Sequence, residues 1–129
     1  MSEPTFLTLA EVLEIHRDQI ERYGGRDGIR DIALLESALA MPQAGLGGEY
    51  FHSTLFEMAA AYAFHIAENQ AFVDGNKRAA LASALIFLEM NNMTIGDPKG
   101  KLYDAMIGAG TKKVSKTELA GLLEKLSKH

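Results

Sequence analysis

The 129-residue chain is 47% hydrophobic and 23% charged, the make-up of one soluble globular domain long enough to bury a core. A net charge of −4 argues against a general nucleic-acid binder, and the absence of cysteine removes disulfides, thiolate metal sites and thiol nucleophiles. The opening residues lack the basic start and apolar run of a signal peptide. His65, Glu68 and Asp74 interrupt the apolar runs short of bilayer length, so a cytoplasmic, non-membrane protein is expected.

Thr8-Leu-Ala-Glu11 is a capping-box pattern, and Leu9, Val12, Leu13, Ile15, His16 and Ile20 recur at helical spacing. Gly24-Gly25 ends that helix. Asp31 caps the next one, whose face is Leu34, Leu35, Ala38 and Leu39, and Pro42 closes it. A glycine-rich connector follows from Gln43 to His52, and its length and composition suggest a movable flap. Ser53 is the expected cap of a third helix running from Thr54 to about Glu68. That helix is apolar all round, as a buried central helix is. A second helix of the same kind covers Asn76 to Met90 and stops at Asn91-Asn92, and the two are expected to lie antiparallel at the centre of the domain. Asp97-Pro98 predicts a cap and helix from Lys99 to about Ile107, broken by Gly108 and Gly110. Ser115-Lys-Thr-Glu118 is another capping box and opens a last amphipathic helix with Leu119, Leu122, Leu123 and Leu126. No convincing strand is visible, although Met93 to Ile95 has the character of a brief pairing segment. The expectation is an all-α single domain over residues 1–129, with about six helices around two central buried ones.

The informative stretch is Asn69 to Arg78, N-Q-A-F-V-D-G-N-K-R, between the two apolar helices. Lys77 and Arg78 fall in a first helical turn, where the helix dipole disfavours cations. The other helix starts carry acids at the cap or in the first turn: Glu11, Asp31, Glu57, Asp97 and Glu118. The inversion suggests that an external anion belongs at this end, held by backbone N–H groups and two positive side chains. Asp74 beside this cradle is either a Mg²⁺ ligand bridging to phosphate oxygens or a cap for the following helix. Asn76 either orients a phosphate or caps, and Gly75 lets the backbone approach the ligand. Phe72 reads as a core anchor of the loop. His16 and His65 read as core histidines, and His52 as the freest one.

The stretch Q-A-F-V-D-G-N-K-R resembles the signature of the Fic/Doc family, H-x-F-x-D/E-G/A-N-x-R. Lys77, in place of the usual glycine, and Leu81, in place of a second arginine, point to the Doc (death-on-curing) branch. R-Y-G-G at Arg22 to Gly25, G-I-R-D at Gly28 to Asp31 and L-L-E-S-A-L at Leu34 to Leu39 are also similar to that branch. The resemblance implies the compact Fic/Doc-type helical domain. It also implies a toxin of a toxin–antitoxin pair that transfers the γ-phosphate of ATP to a hydroxyl of elongation factor Tu. Its antitoxin would be of the Phd type and would dock a helical tail in a groove, and no direct nucleic acid or membrane contact is implied. By position, Asp74 would hold Mg²⁺, and Gly75, Asn76, Lys77 and Arg78 would bind ATP phosphates. Gln70, Asp74 and Lys77 would make up the catalytic set, with the connector as the flap that aligns the target.

Gln70 occupies the position of the family's catalytic histidine. A glutamine amide can orient a hydroxyl but cannot take its proton at neutral pH, so activity is expected to be weakened or lost. AMP transfer of the Fic kind, or a non-catalytic nucleotide- or anion-binding domain acting through a partner, are the alternatives.

Overall fold

The computed structural model describes residues 3–97, 100–110 and 114–128. Six helices dominate the described residues: α1 (Leu9–Tyr23), α2 (Ile32–Ala40), α3 (Leu55–Asn69), α4 (Asn76–Met90), α5 (Lys101–Gly110) and α6 (Lys116–Leu126). Two small antiparallel ladders join them, β1 (Gly45–Leu46) with β2 (Glu49–Tyr50) and β3 (Thr94–Ile95) with β4 (Ser127–Lys128). None of the described helices is long and apolar enough to cross a membrane.

The helix starts follow local chemistry. Thr8 and Ser115 close full capping boxes with Glu11 and Glu118, and Asp31 accepts from the Ala33 and Leu34 N–H groups. At α3 the cap is Thr54, not Ser53. Thr54 has an extended backbone and its hydroxyl accepts the Glu57 N–H (3.1 Å), while the Glu57 carboxylate reaches back to the N–H groups of Ser53 and Thr54. Ser53 adds a second bond to the Glu57 carboxylate (2.8 Å). Asp97 accepts from the Lys101 and Leu102 N–H groups, and α5 begins at Lys101; Pro98 and Lys99, where its start was expected, lie outside the described residues. Gly108 does not break α5, which continues to Gly110, since one glycine in a helix costs only about 1 kcal/mol relative to alanine.

The connector departs from expectation by forming a hairpin. Gly47 and Gly48 have φ of +62° and +85°, the left-handed pair that a tight two-residue hairpin turn needs. Phe6 packs edge-on against Tyr50, whose hydroxyl donates to Glu3 at 2.6 Å, so the hairpin base is fixed to the amino-terminal segment. The tip residue Leu46 remains exposed.

α3 and α4 make the most extensive helix contact in the domain, as expected of central helices. Ala59, Ala60, Ala63 and Ala67 of α3 and Ala79, Ala80 and Ala84 of α4 are buried, and their small side chains allow the close approach. α2, α5 and α6 pack on α3, and α1 and α5 on α4. Tyr62, at the centre, packs on Phe87 and accepts the Leu7 N–H through its hydroxyl (2.9 Å). This architecture leaves the turn between α3 and α4, Gln70–Gly75, at one end of the bundle, beside the end of α1 and the α1–α2 connection.

Candidate functional site

The turn is held by its neighbours more than by itself. Val73 donates to the Gly28 carbonyl (3.0 Å), and the N–H groups of Arg30 and Asp31 both donate to the Ala71 carbonyl (2.7 and 3.0 Å). Ile29 and Phe72 thus face each other in an isolated antiparallel bridge. Arg30 also spreads its guanidinium over the end of α3, donating to the carbonyls of Gln70 (2.9 Å) and Asn69 (3.3 Å). A cation at a helix carboxyl end answers the negative pole of the dipole and caps orphan carbonyls. These contacts stabilise Gln70 in the left-handed conformation (φ 49°, ψ 50°), which is unfavourable for a residue with a β-carbon. The Gln70 side chain is exposed.

Phe72 is the anchor. Its side chain is 1% exposed, and burying a phenylalanine contributes about 1.5–3 kcal/mol. Asn76 brackets the same residue, accepting the Phe72 N–H and donating to its carbonyl, both at 3.0 Å. The amide of Asn76 thus shapes the turn. Gly75 precedes α4 with φ +74°, and no side chain among the described residues caps this terminus. The first-turn N–H groups of α4 consequently lack intrahelical partners.

Asp74 stands at that open end. Its Oδ2 accepts the Arg26 N–H (3.1 Å) and its Oδ1 the Gly75 N–H (2.8 Å). These two bonds, helped by the charges of Arg78 and Arg26, hold the carboxyl below its ordinary pKa, so it is anionic at neutral pH. It does not cap α4 with its side chain. Each carboxylate oxygen keeps an unused lone-pair direction. Among the described residues no three His, Cys, Asp or Glu side chains gather as a metal-binding group. Arg78 donates from Nη2 to the Gly24 carbonyl (2.9 Å), which fixes its guanidinium beside Asp74. Lys77 forms no ion pair among the described residues.

Gly25 makes the arrangement possible. A β-carbon there would lie 2.9 Å from Asp74 Oδ2, 3.0 Å from Ile20 Cδ1 and 3.1 Å from Arg78 Nη2. One glycine, Gly24, already ends α1. The second is surplus to that task, which is the sequence signal for its second role. Arg30 and His16 are the other contributors that sequence reasoning passed over. In G-I-R-D the sequence assigns a role to Asp31, as a cap, and none to Arg30, and it reads His16 as a core residue. His16 is buried, yet its partners belong to the turn: its ring stacks on Phe72 and Nε2 meets the Asp74 carbonyl (2.7 Å).

His52 and His65 stand apart. His52 is not free: Lys116 Nζ lies 3.4 Å from its Nε2 and 3.0 Å from His65 Nε2. Lysine can only donate, so both rings accept and are neutral. Burial first, then the Lys116 charge and His52, push His65 down to about 4, and burial followed by Lys116 also lowers His52.

Next to Arg78 a groove of about 370 Å³ opens between α1, α4 and α5, lined by Gln19, Tyr23, Leu81, Ala82, Leu85 and Tyr103. Tyr23 and Tyr103 are 67% and 50% exposed on its rims.

A family model described as Fic/DOC family matches residues 6–88. The chain is 36% identical over 116 residues to the protein kinase doc of Escherichia phage P1, an alignment covering 90% of each chain. It is 42% identical over 73 residues to the toxin Doc of Mycolicibacterium smegmatis, covering 57% of this chain and 56% of that one.

Proposed function

Because the chain belongs to the Fic/DOC family, on its Doc branch, we propose that it is a Doc-type toxin of a toxin–antitoxin module. Its reaction is transfer of the γ-phosphate of ATP to a hydroxyl of a translation factor, with elongation factor Tu as the target, which puts the protein in the cytoplasm. The observation that carries this reading is the start of α4 uncapped by any side chain, with an ionised Asp74 beside Arg78 and with Lys77 in the first turn.

The donor set suits Mg²⁺, which is commonly held by one or two carboxylates with phosphate oxygens and water supplying the rest. Asp74 would hold the ion, which supplies charge neutralisation between phosphate oxygens when bound. The free N–H groups of the first α4 turn, Lys77 and Arg78 would bind the phosphates, and Gly75 gives them room. Asn76 contributes by its backbone and by holding the turn in shape. Gln70 would orient the acceptor hydroxyl but cannot take its proton. Phosphoryl transfer through a loose transition state depends more on positioning and charge than on proton removal. Activity without the histidine is therefore reduced by the usual worth of a general base, about 10²–10⁴-fold.

The Doc names of the relatives support an antitoxin partner. For a Phd-type tail the α1–α4–α5 groove is the natural seat, because Leu81, Ala82 and Leu85 give it an apolar wall and Arg78 also lines it. An amphipathic helix with an acidic residue placed to meet Arg78 would fit it.

Incubation with ATP carrying label at the α or γ position, Mg²⁺ and elongation factor Tu tests the reaction, using the wild-type chain and Gln70→His. The expected result is γ-label on the target, slow with glutamine and faster by about 10²–10⁴-fold with histidine. Label from the α position means AMP transfer instead. Binding of ATP with no transfer by either form means a binding module that acts through its partner. If neither form labels any cellular protein, the kinase reading is wrong.

A further inference from the structure

His16 has an unusual set of partners for a residue in the middle of an apolar helix stripe. Its side chain is 2% exposed, and burial of a polar ring is tolerated only when its nitrogens are satisfied. The ring lies flat against Phe72, with centroids 3.8 Å apart and planes 3° from parallel. Nε2 lies 2.7 Å from the Asp74 carbonyl oxygen. A carbonyl can only accept, so Nε2 carries the hydrogen and the tautomer is set by this one partner. Nδ1 faces Asp27 Oδ1 at 3.9 Å, beyond hydrogen-bond reach.

The peptide unit that His16 grips is the one between Asp74 and Gly75. Its other polar group, the Gly75 N–H, bonds Asp74 Oδ1 at 2.8 Å. A trans peptide is planar and its C=O and N–H point opposite ways. Fixing the carbonyl on His16 therefore fixes the N–H on the carboxylate. Gly75 is free to adopt either sign of φ, so nothing in its own backbone prevents this peptide from turning over. Turned over, it would set a carbonyl oxygen against the Asp74 carboxylate and beside the open end of α4, where it would repel an anion.

We propose that His16 is a positioning residue that locks the Asp74–Gly75 peptide in the orientation an anion at the start of α4 requires, without touching nucleotide or target. The identity of the anion as a phosphate chain depends on the functional reading above; the lock itself does not.

His16→Phe keeps an aromatic ring on Phe72 and removes the donor, whereas His16→Gln restores an N–H at about the reach of Nε2. In the ligand-free protein, the Gly75 amide should exchange with solvent about fivefold to tenfold faster in His16→Phe and return towards wild type in His16→Gln. Dissociation constants for Mg·ATP should follow the same order with a similar factor. Should His16→Phe fail to fold, nitrogen NMR of the native protein still decides, because the lock requires the hydrogen on Nε2. A proton on Nδ1 alone, or a Gly75 amide unmoved in His16→Phe, overturns the proposal. Failure of the wild-type chain to bind Mg·ATP would sink the nucleotide reading while the amide exchange still reports on the lock.

Discussion

Replacing Gly25 by alanine adds one methyl group where the structure leaves no space for it. Two costs arise. At φ +119° an L-residue is strained, which costs about 1–3 kcal/mol. The new β-carbon would also meet Asp74 Oδ2, Ile20 Cδ1 and Arg78 Nη2 at 2.9–3.1 Å, and overpacking of this kind costs about 1–3 kcal/mol more. Gly24 supplies the control: at φ +83° it bears the strain, but nothing lies within 4 Å of its β-position. Gly24→Ala should therefore cost only the first term, and Gly25→Ala both, a difference of about 3–10 °C in melting temperature for a domain of this size. The extra term has a local signature as well. The Asp74 carboxylate must yield, weakening its bond from the Arg26 N–H, so its pKa should rise towards the ordinary value in Gly25→Ala but not in Gly24→Ala. Mg·ATP affinity should fall by about tenfold or more in the first variant only. Thermal melts, carbon-detected NMR titration of Asp74 and calorimetry measure the three. Equal melting temperatures with an unmoved Asp74 titration would refute the reasoning.

Two further outcomes are expected. His65 titrates near 4 in the folded protein and near 6.5 unfolded, so the unfolded chain binds more protons between those values and stability falls as pH drops from 6.5 to 4. Discounted for solvent screening of a partly exposed ring, the loss is about 1–2 kcal/mol. Lys116→Met should raise the His65 pKa and shrink that loss, and an NMR titration curve for His65 unchanged by the substitution would contradict it. Asp31→Ala removes the acceptor for the Ala33 and Leu34 N–H groups and should cost about 1 kcal/mol in urea unfolding; no shift in midpoint would show that the cap is replaced by water.

Much of the helical plan was legible because its signals are local. A threonine or serine with glutamate three residues on, as at Thr8 and Ser115, writes a helix start within a single turn of chain. The reversed charge at Lys77 and Arg78 likewise marked α4 as the one helix start to question, and its backbone is uncapped by side chains. Where two local signals competed, the expectation differs from the structure by one residue: Ser53 and Thr54 are chemically alike, and only Thr54 accepts the Glu57 N–H, while Ser53 donates to the Glu57 carboxylate. The connector hairpin was missed because each of its strands has two residues, too few for a period-two pattern to appear.

The sequence by itself determined the six-helix plan, the two apolar central helices and the candidate residues of the turn between them, since propensity, capping and helical periodicity act over a few neighbouring residues. Only the tertiary structure decided what holds that turn in place. Its Asp74 is met by Arg26 from 48 residues away and by His16 from 58, and Gln70 by Arg30 from 40. It also decided that Lys116 closes on His65 across 51 residues, which turned a histidine expected to be free, His52, into part of a packed cluster. Such contacts carry no short-range pattern, because they exist only after burial of the alanine-rich faces of α3 and α4 has brought distant segments together.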